Sequence, residues 1–174
     1  KHKDIVSDDF YWYAEKNNQL IVAVADCTGH GVPGAFMSMI GNDILTQIVI
    51  EKGITDPNLI LTQLHDGVKK SLKQDNQTSN TKDGMDISVI AFNKNDFSKI
   101  KFSGALRPLW LVKNNTTEII EYKGDKHSIG GAYSDLSRAF TTHEIELTKG
   151  DSIYLSSDGY ADQFGILFFT KIKS

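Results

Sequence analysis

The sequence predicts an α+β fold for this chain of 174 residues, with strands at both ends and two helices between the early and late strands. Two apolar strand patterns come first, helical periodicity follows from residue 33 to residue 72, and short strands separated by turns fill residues 85–157. The late strands lack the crossover helices that a parallel sheet needs, so antiparallel meanders are expected rather than a doubly wound fold.

The first two strands are predicted to form a hairpin. The aromatic run Phe10–Tyr13 and the apolar run Leu20–Ala25 flank Lys16-Asn17-Asn18. Asparagine favours the left-handed backbone of tight hairpin turns, so the chain is expected to reverse there. Later turns are predicted at residues 93–96, 113–115 and 148–151.

Two amphipathic helices are predicted between the strands. The first begins near Pro33 and ends before Gly53, and its predicted buried face comprises Phe36, Ile40, Ile44, Leu45, Ile48 and Val49. The second has Asp56 as its N-cap and Pro57 in its first turn, with a stripe formed by Leu61, Leu64, Val68 and Leu72. Both faces are expected to cover a sheet, and the polar stretch 73–83 is expected to be a loop.

Composition excludes several classes of function. A net charge of −3 without a long basic run argues against a nucleic-acid surface, and no apolar stretch approaches the roughly 20 residues that span a bilayer. We therefore expect no membrane contact by this domain. The single Cys27 rules out an internal disulfide and favours the cytoplasm. A nucleophilic role for Cys27 is disfavoured, because no His-Asp relay is spaced to activate it.

Three aspartates, Asp9, Asp26 and Asp158, lie at or beside the ends of apolar strand patterns. Asp26 opens the motif Asp-Cys-Thr-Gly-His-Gly-Val-Pro-Gly-Ala, whose glycines permit a sharp turn into the first helix. Carboxylates and a turn carbonyl, here that of Cys27, suit a hard cation such as Mg²⁺ or Mn²⁺. Taken singly, Asp26 is equally compatible with a helix cap, and Asp9 and Asp158 are more typical of structural surface turns than of a catalytic site.

The order and spacing of five segments identify a resemblance that spans Asp4 to about Gly165. The chain resembles bacterial PPM/PP2C-type serine phosphatases of the SpoIIE and RsbU branch. The matching segments are Asp9-Phe10-Tyr11-Trp12, Val24-Ala25-Asp26-Cys27-Thr28-Gly29-His30-Gly31, Gly84-Met85-Asp86-Ile87-Ser88, Phe102-Ser103-Gly104-Ala105 with Pro108-Leu109, and Leu155-Ser156-Ser157-Asp158-Gly159.

The resemblance implies a four-layer α-β-β-α sandwich with two Mn²⁺ or Mg²⁺ ions. Asp9 and Asp26 would bridge the ions, the Cys27 carbonyl would join them, and Asp158 would hold the second ion. A metal-bridging water would then attack a phosphoserine or phosphothreonine. It further implies a phosphorylated STAS-type anti-sigma-factor antagonist as substrate, a sensor domain upstream in the same polypeptide and a possible homodimer.

The chain departs from the family pattern at both ends. Asp8 stands where the family usually has glycine, and residues 166–174 do not match the family continuation, which carries a further metal-binding aspartate. Residues 1–174 are therefore interpreted as one domain, truncated at both ends, that is expected to bind metal more weakly and turn over more slowly than a longer chain. If the metal affinity were equal, Asp162, or less favourably Asp8, would be the substitute ligand.

Two other functions stay open at this point. The missing ligand is compatible with a catalytically silent module that binds a phosphoprotein, and a nucleotidyl cyclase would also use two metals. Among the remaining polar residues, His30 is expected to act indirectly, Asp86 to hydrogen-bond the backbone, and Arg107, which precedes a proline, to be a solvated loop residue.

Overall fold

A computed structural model describes residues 8–29, 31–74, 83–131 and 138–158. The strands are β1 (Asp9–Lys16), β2 (Gln19–Cys27), β3 (Gly84–Asn93), β4 (Asp96–Ala105), β5 (Leu109–Val112), β6 (Ile119–Tyr122), β7 (Ile129–Gly130), β8 (His143–Glu146) and β9 (Ser152–Tyr154). The helices are α1 (Val32–Thr46), which continues into a π-helical turn at Gln47–Glu51, and α2 (Pro57–Ser71).

The strands form two antiparallel sheets. The larger sheet has the order β1-β2-β3-β4-β8, with β7 paired to β3, and the smaller sheet has the order β6-β5-β9. Every strand pair described is antiparallel. The predicted α+β class with antiparallel sheets is therefore confirmed.

The larger sheet is covered on both faces. Odd-numbered residues of β2, from Ile21 to Cys27, face the helices and belong to the first apolar core. The other face packs against the smaller sheet through a second core that includes Ile90, Phe102 and Leu111. The described chain thus contains the helical layer and both sheets of the predicted sandwich. Neither helix within these ranges is both long and apolar enough to span a membrane.

The predicted turns are confirmed. Asn17 and Asn18 have positive φ angles of 49° and 60°, as a tight β1–β2 hairpin requires. Residues 94–95 turn between β3 and β4, and residues 113–118 join β5 to β6. At the turn before β9, the Asp151 carboxylate accepts hydrogen bonds from the backbone N–H groups of Asn114 and Thr148, each at 2.9 Å.

The helices agree with the prediction except at two positions. Ile44 and Leu45 are buried, as are all three of the predicted α2 residues before Leu72. Phe36, however, is 60% exposed, so its predicted place in the core is wrong. The helical period is correct, but the buried stripe in the first turns of α1 is Gly34, Met37 and Gly41, and Phe36 lies beside it. Asp56 occupies the N-cap position of α2, yet its carboxylate binds Lys101 Nζ at 2.6 Å, and the described contacts include no side-chain cap.

A buried histidine joins α2 to β7. His65 Nδ1 accepts a hydrogen bond from the Gly130 N–H at 3.0 Å, and its Nε2 has no partner among the described residues. Burial, followed by the positive charges of Arg138 and Lys69, lowers the pKa of His65 to about 4. The side chain is therefore held neutral inside the first core.

Candidate metal centre

Three carboxylates lie in a row across adjacent strands. The register pairs Asp9 of β1 with Asp26 of β2, and Asp26 with Asp86 of β3. Directly paired residues project from the same face of a sheet, with Cβ atoms about 5 Å apart. Because its neighbours Ala25 and Cys27 face the helices, Asp26 projects from the opposite face, toward the smaller sheet. The row therefore lies at one end of the space between the two sheets.

Asp158 reaches this row from the smaller sheet, four residues beyond the end of β9. The preceding residue anchors it, because Ser157 Oγ donates a hydrogen bond to Asp9 Oδ2 at 2.7 Å. The Asp158 N–H points to Asp26 Oδ2 at a long 3.5 Å. The fold thus brings Asp9, Asp26 and Asp158 together from both sheets.

Arg107 lies among these carboxylates. Its Nη2 donates to Asp26 Oδ2, lies 3.0 Å from Asp158 Oδ2, and is 3.8 Å from Asp86 Oδ2. The Arg107 side chain is only 17% exposed, so its prediction as a solvated loop residue is wrong. The expected backbone role of Asp86 is also corrected, because its carboxylate faces this guanidinium. Sequence reasoning missed both residues as members of the site.

Close backbone packing places Arg107. A Cβ atom at Gly104 or Gly124 would collide with the Arg107 carbonyl oxygen, so both positions require glycine. The loop is fixed further by the Leu106 N–H, which donates to the Asp125 carbonyl at 2.8 Å, and by Ser88 Oγ, which donates to the Pro108 carbonyl at 3.1 Å. The glycine shortly before Arg-Pro was the available sequence signal, since it permits a close approach of backbones.

The pKa values of these carboxyl groups reflect their burial and their proximity to one another. Burial, then the Asp158 carboxylate, raises the pKa of Asp26 to about 7 against the opposing charge of Arg107. Burial also raises the pKa of Asp86. Burial opposes ionisation of Asp158, but hydrogen bonding to Arg107 and Asp26 leaves its pKa below the usual range. Three of the carboxylates, those of Asp26, Asp86 and Asp158, lie within 3.8 Å of one guanidinium, and Asp9 is paired with Asp26. The site therefore carries an excess of negative charge that further cations would stabilise.

The donor set fits a hard divalent cation. Its side-chain donors are carboxylate oxygens, which suit Mg²⁺ and Mn²⁺. Among the residues described, no three acidic, His or Cys side chains converge on one point at ligand distance. Arg107 Nη2 lies between the carboxylates of Asp26 and Asp158. The two further residues His30 and Asp162 lie outside the described ranges.

Cys27 contributes no thiol chemistry to this centre. Its side chain is buried on the helix side of the sheet, where Ser38 Oγ lies 3.8 Å from Sγ. Burial, partly offset by Ser38, raises the pKa of the Cys27 thiol to about 12, so a reactive thiolate is not available near neutral pH. The Cys27 carbonyl as a metal ligand stays a prediction.

Helix α1 is packed directly onto the Asp26 turn. A Cβ atom at Gly34 would lie 2.8 Å from Asp8 Cβ and 2.9 Å from the Gly29 carbonyl oxygen. One turn further along, Ser38 Oγ donates to the Asp8 carbonyl at 3.1 Å, and that carbonyl also accepts the Cys27 N–H at 3.3 Å. Asp8 therefore fastens α1 to β2 through its backbone.

Comparison with known families agrees with this geometry. The family described as Stage II sporulation protein E (SpoIIE) matches residues 16–167, which is most of the chain. The chain belongs to the SpoIIE family. This SpoIIE-family chain is similar in structure to the SiaA-PP2C domain of Pseudomonas aeruginosa, with 29% identity and a TM-score of 0.74 over 90% of this chain and 58% of that one.

Two more distant structures share the fold of this SpoIIE-family chain. The RsbU and RsbW domains of a Mycobacterium tuberculosis protein are 19% identical, with a TM-score of 0.63 over 88% of this chain and 39% of that one. RsbX in complex with magnesium is 16% identical, with a TM-score of 0.64 over 91% of this chain and 70% of that one. No curated protein sequence matches the chain significantly. The chain spans less than two thirds of the SiaA structure.

Proposed function

We propose that this SpoIIE-family chain is the catalytic part of a metal-dependent protein serine/threonine phosphatase. The observation that carries the proposal is the row Asp9, Asp26 and Asp86, completed by Asp158 from the other sheet. These carboxylates come from different strands, and each raises the free-energy cost of ionising the others. Such a cluster is typical of a site that binds cations.

The residues of the site have distinct tasks in this proposal. Asp9 and Asp26 would hold both ions, the Cys27 carbonyl would complete that edge, and Asp158 would hold the second ion. When bound, divalent cations supply Lewis-acid activation of the phosphoryl group and of water. The thiol of Cys27 is buried and protonated, so it is not available as a covalent nucleophile. Asp158 is 54% exposed, so a phosphorylated side chain can approach from that rim.

We further propose that the substrate is a phosphorylated STAS-type protein in a cytoplasmic partner-switching pathway. The support is membership of the SpoIIE family and the fold shared with an RsbU domain that occurs together with an RsbW domain. A folded protein substrate also agrees with the open rim at Asp158, because an exposed edge admits a large partner more easily than a closed pocket does.

The direct test is phosphate release by the full-length protein from phosphoserine and phosphothreonine peptides, and from phosphorylated STAS proteins of the same genome, during a Mn²⁺ or Mg²⁺ titration. We expect release that requires metal, stops in EDTA and is faster with the STAS protein. Tight binding without release would support a silent phosphoprotein-binding module instead, and turnover of a nucleoside triphosphate would support a cyclase.

Gly34→Ala is expected to impair this activity without changing any proposed ligand. The added methyl meets Asp8 Cβ and the Gly29 carbonyl, so α1 and the Asp26 turn must separate by several tenths of an ångström. Displacement on this scale commonly weakens a preorganised site, and we expect a loss on the order of tenfold. The measurement is phosphate release with Mn²⁺ held at saturation.

Gly67→Ala is the matched control for this change. The three atoms nearest to its added methyl all belong to the Ile44 side chain, at the contact between α2 and α1 and away from the Asp26 turn. We expect it to alter the melting temperature while leaving the rate within about twofold of the parent, because distant core strain usually changes stability before site geometry. Equal losses in both variants would show that general loosening of the helices, rather than the Gly34 contact, lowers the rate.

A further inference from the structure

Arg107 occupies the part of the carboxylate row where positive charge is most needed. Its Nη2 contacts Asp26 of β2 and Asp158, which follows β9 of the smaller sheet, and faces Asp86 at 3.8 Å. A guanidinium between two carboxylates makes charge-assisted hydrogen bonds and offsets their mutual repulsion. Arg107 therefore holds together the same two acids that a divalent cation would share.

The guanidinium and a divalent cation compete for the same carboxylate oxygen atoms. Asp26 Oδ2 and Asp158 Oδ2 both bind Arg107 Nη2, and a cation coordinated by either oxygen has to displace that nitrogen or share its acceptor. The hydrogen-bonding groups of Arg107 are also incompletely satisfied, because its buried Nε has no acceptor among the described residues. An unsatisfied buried donor lowers the cost of moving the side chain out.

We infer that Arg107 is a positioning residue that competes with the divalent cation for Asp26 and Asp158, and so sets the metal affinity of the site. The inference rests on the proposed function, whose metal centre it deepens. Arg107 keeps the carboxylates assembled when metal is scarce and yields them when metal is abundant. The metal concentration at which the protein becomes active is then a property of this guanidinium as well as of the ligands.

The test compares Arg107→Gln with the parent, using the full-length protein. In EDTA we expect the variant to melt roughly 3–6 °C lower, because the acids repel one another without their partner. Saturating Mn²⁺ should close that gap. Calorimetric titration should show Mn²⁺ binding about tenfold tighter in Arg107→Gln, the scale of one charge-assisted contact. Arg107→Lys, which keeps the charge on a compact head group, should stay within about threefold of the parent.

Lys113→Gln is the matched control. Lys113 binds Asp151 Oδ2 at 2.9 Å at the opposite end of β5, so this change removes the same charge and one ion pair away from the site. It should lower the melting temperature equally in EDTA and in Mn²⁺, with unchanged metal affinity. That pattern separates local competition from a change in the overall field of the protein.

The possible outcomes are distinct. If the parent releases phosphate with metal but Arg107→Gln binds Mn²⁺ equally or more weakly, the competition is overturned and the proposed function stands. If the parent binds Mn²⁺ too weakly to measure while Arg107→Gln binds it, the competition is supported. If neither protein binds Mn²⁺ at millimolar concentration, both the competition and the metal-dependent function are overturned.

Discussion

Replacing Asp26 with asparagine is expected to lower metal-dependent phosphate release by about a hundredfold or more, the scale of losing a principal electrostatic stabiliser. Asp26 is the central member of the row, paired with Asp9 on one side and Asp86 on the other. Its side chain is 14% exposed, and asparagine preserves its volume, so the fold should survive while the negative charge is lost. Initial rates across a Mn²⁺ titration measure the effect.

The control for this change is Asp56→Asn. Asp56 is also a carboxylate paired with a cation, Lys101, but it lies at the start of α2 and its side chain is about half exposed. Asparagine is an equally good residue at that N-cap position, so the rate should stay within about twofold of the parent. An Asp26→Asn protein that keeps a third or more of the parental rate, with normal Mn²⁺ affinity, would remove Asp26 from the proposed mechanism.

The second large effect is on stability as a function of pH, and it arises from His65. Its pKa is about 4 in the folded chain, against 6.5 for an ordinary histidine. Because the folded pKa is depressed, the unfolded chain binds a proton first as the pH falls. The stability contributed by neutral His65 is fully present above pH 6.5 and is lost progressively down to pH 4, by about 3 kcal/mol in total.

The measurement is the difference in the free energy of unfolding between the parent and His65→Gln in EDTA, from pH 8 to pH 4. A difference is needed because Asp26 acts in the opposite direction, its raised pKa of about 7 stabilising the folded chain as the pH falls. Glutamine can accept the Gly130 N–H but does not titrate. The parent should lose its advantage over the variant below pH 6.5, and parallel curves would disprove the assignment to His65.

Local patterns were sufficient to predict most of the fold. Alternation in β2 and the paired asparagines of the first turn depend on neighbours in the sequence, and both predictions agree with the structure. The failure at Phe36 has a different cause. A helical period does not say which of two adjacent stripes faces the sheet. The buried stripe of α1 begins with the small residue Gly34 and continues through Met37 and Gly41, so the larger Phe36 is left exposed beside it.

The candidate site could be predicted only in part, for a related reason. Asp9, Asp26 and Asp158 were recognised from strand ends and from resemblance. Placing Asp86 beside Asp26 required the register between β2 and β3, which are separated by both helices in the sequence. Placing Arg107 required the close packing of its carbonyl against Gly104 in β4 and Gly124 in the loop after β6. Pairings between distant segments are not encoded in any short pattern.

The hydrogen bond between Ser157 and Asp9 joins residues that are 148 positions apart. Closing so long a loop carries a large entropic cost, and contacts of this kind form late in folding, after the local hairpins and helices. During synthesis, the ribosome releases Asp9, Asp26 and Asp86 long before Asp158. The carboxylate row is therefore completed only when the chain has emerged through residue 158 and the smaller sheet has docked, so the proposed metal centre is among the last parts of this domain to be assembled.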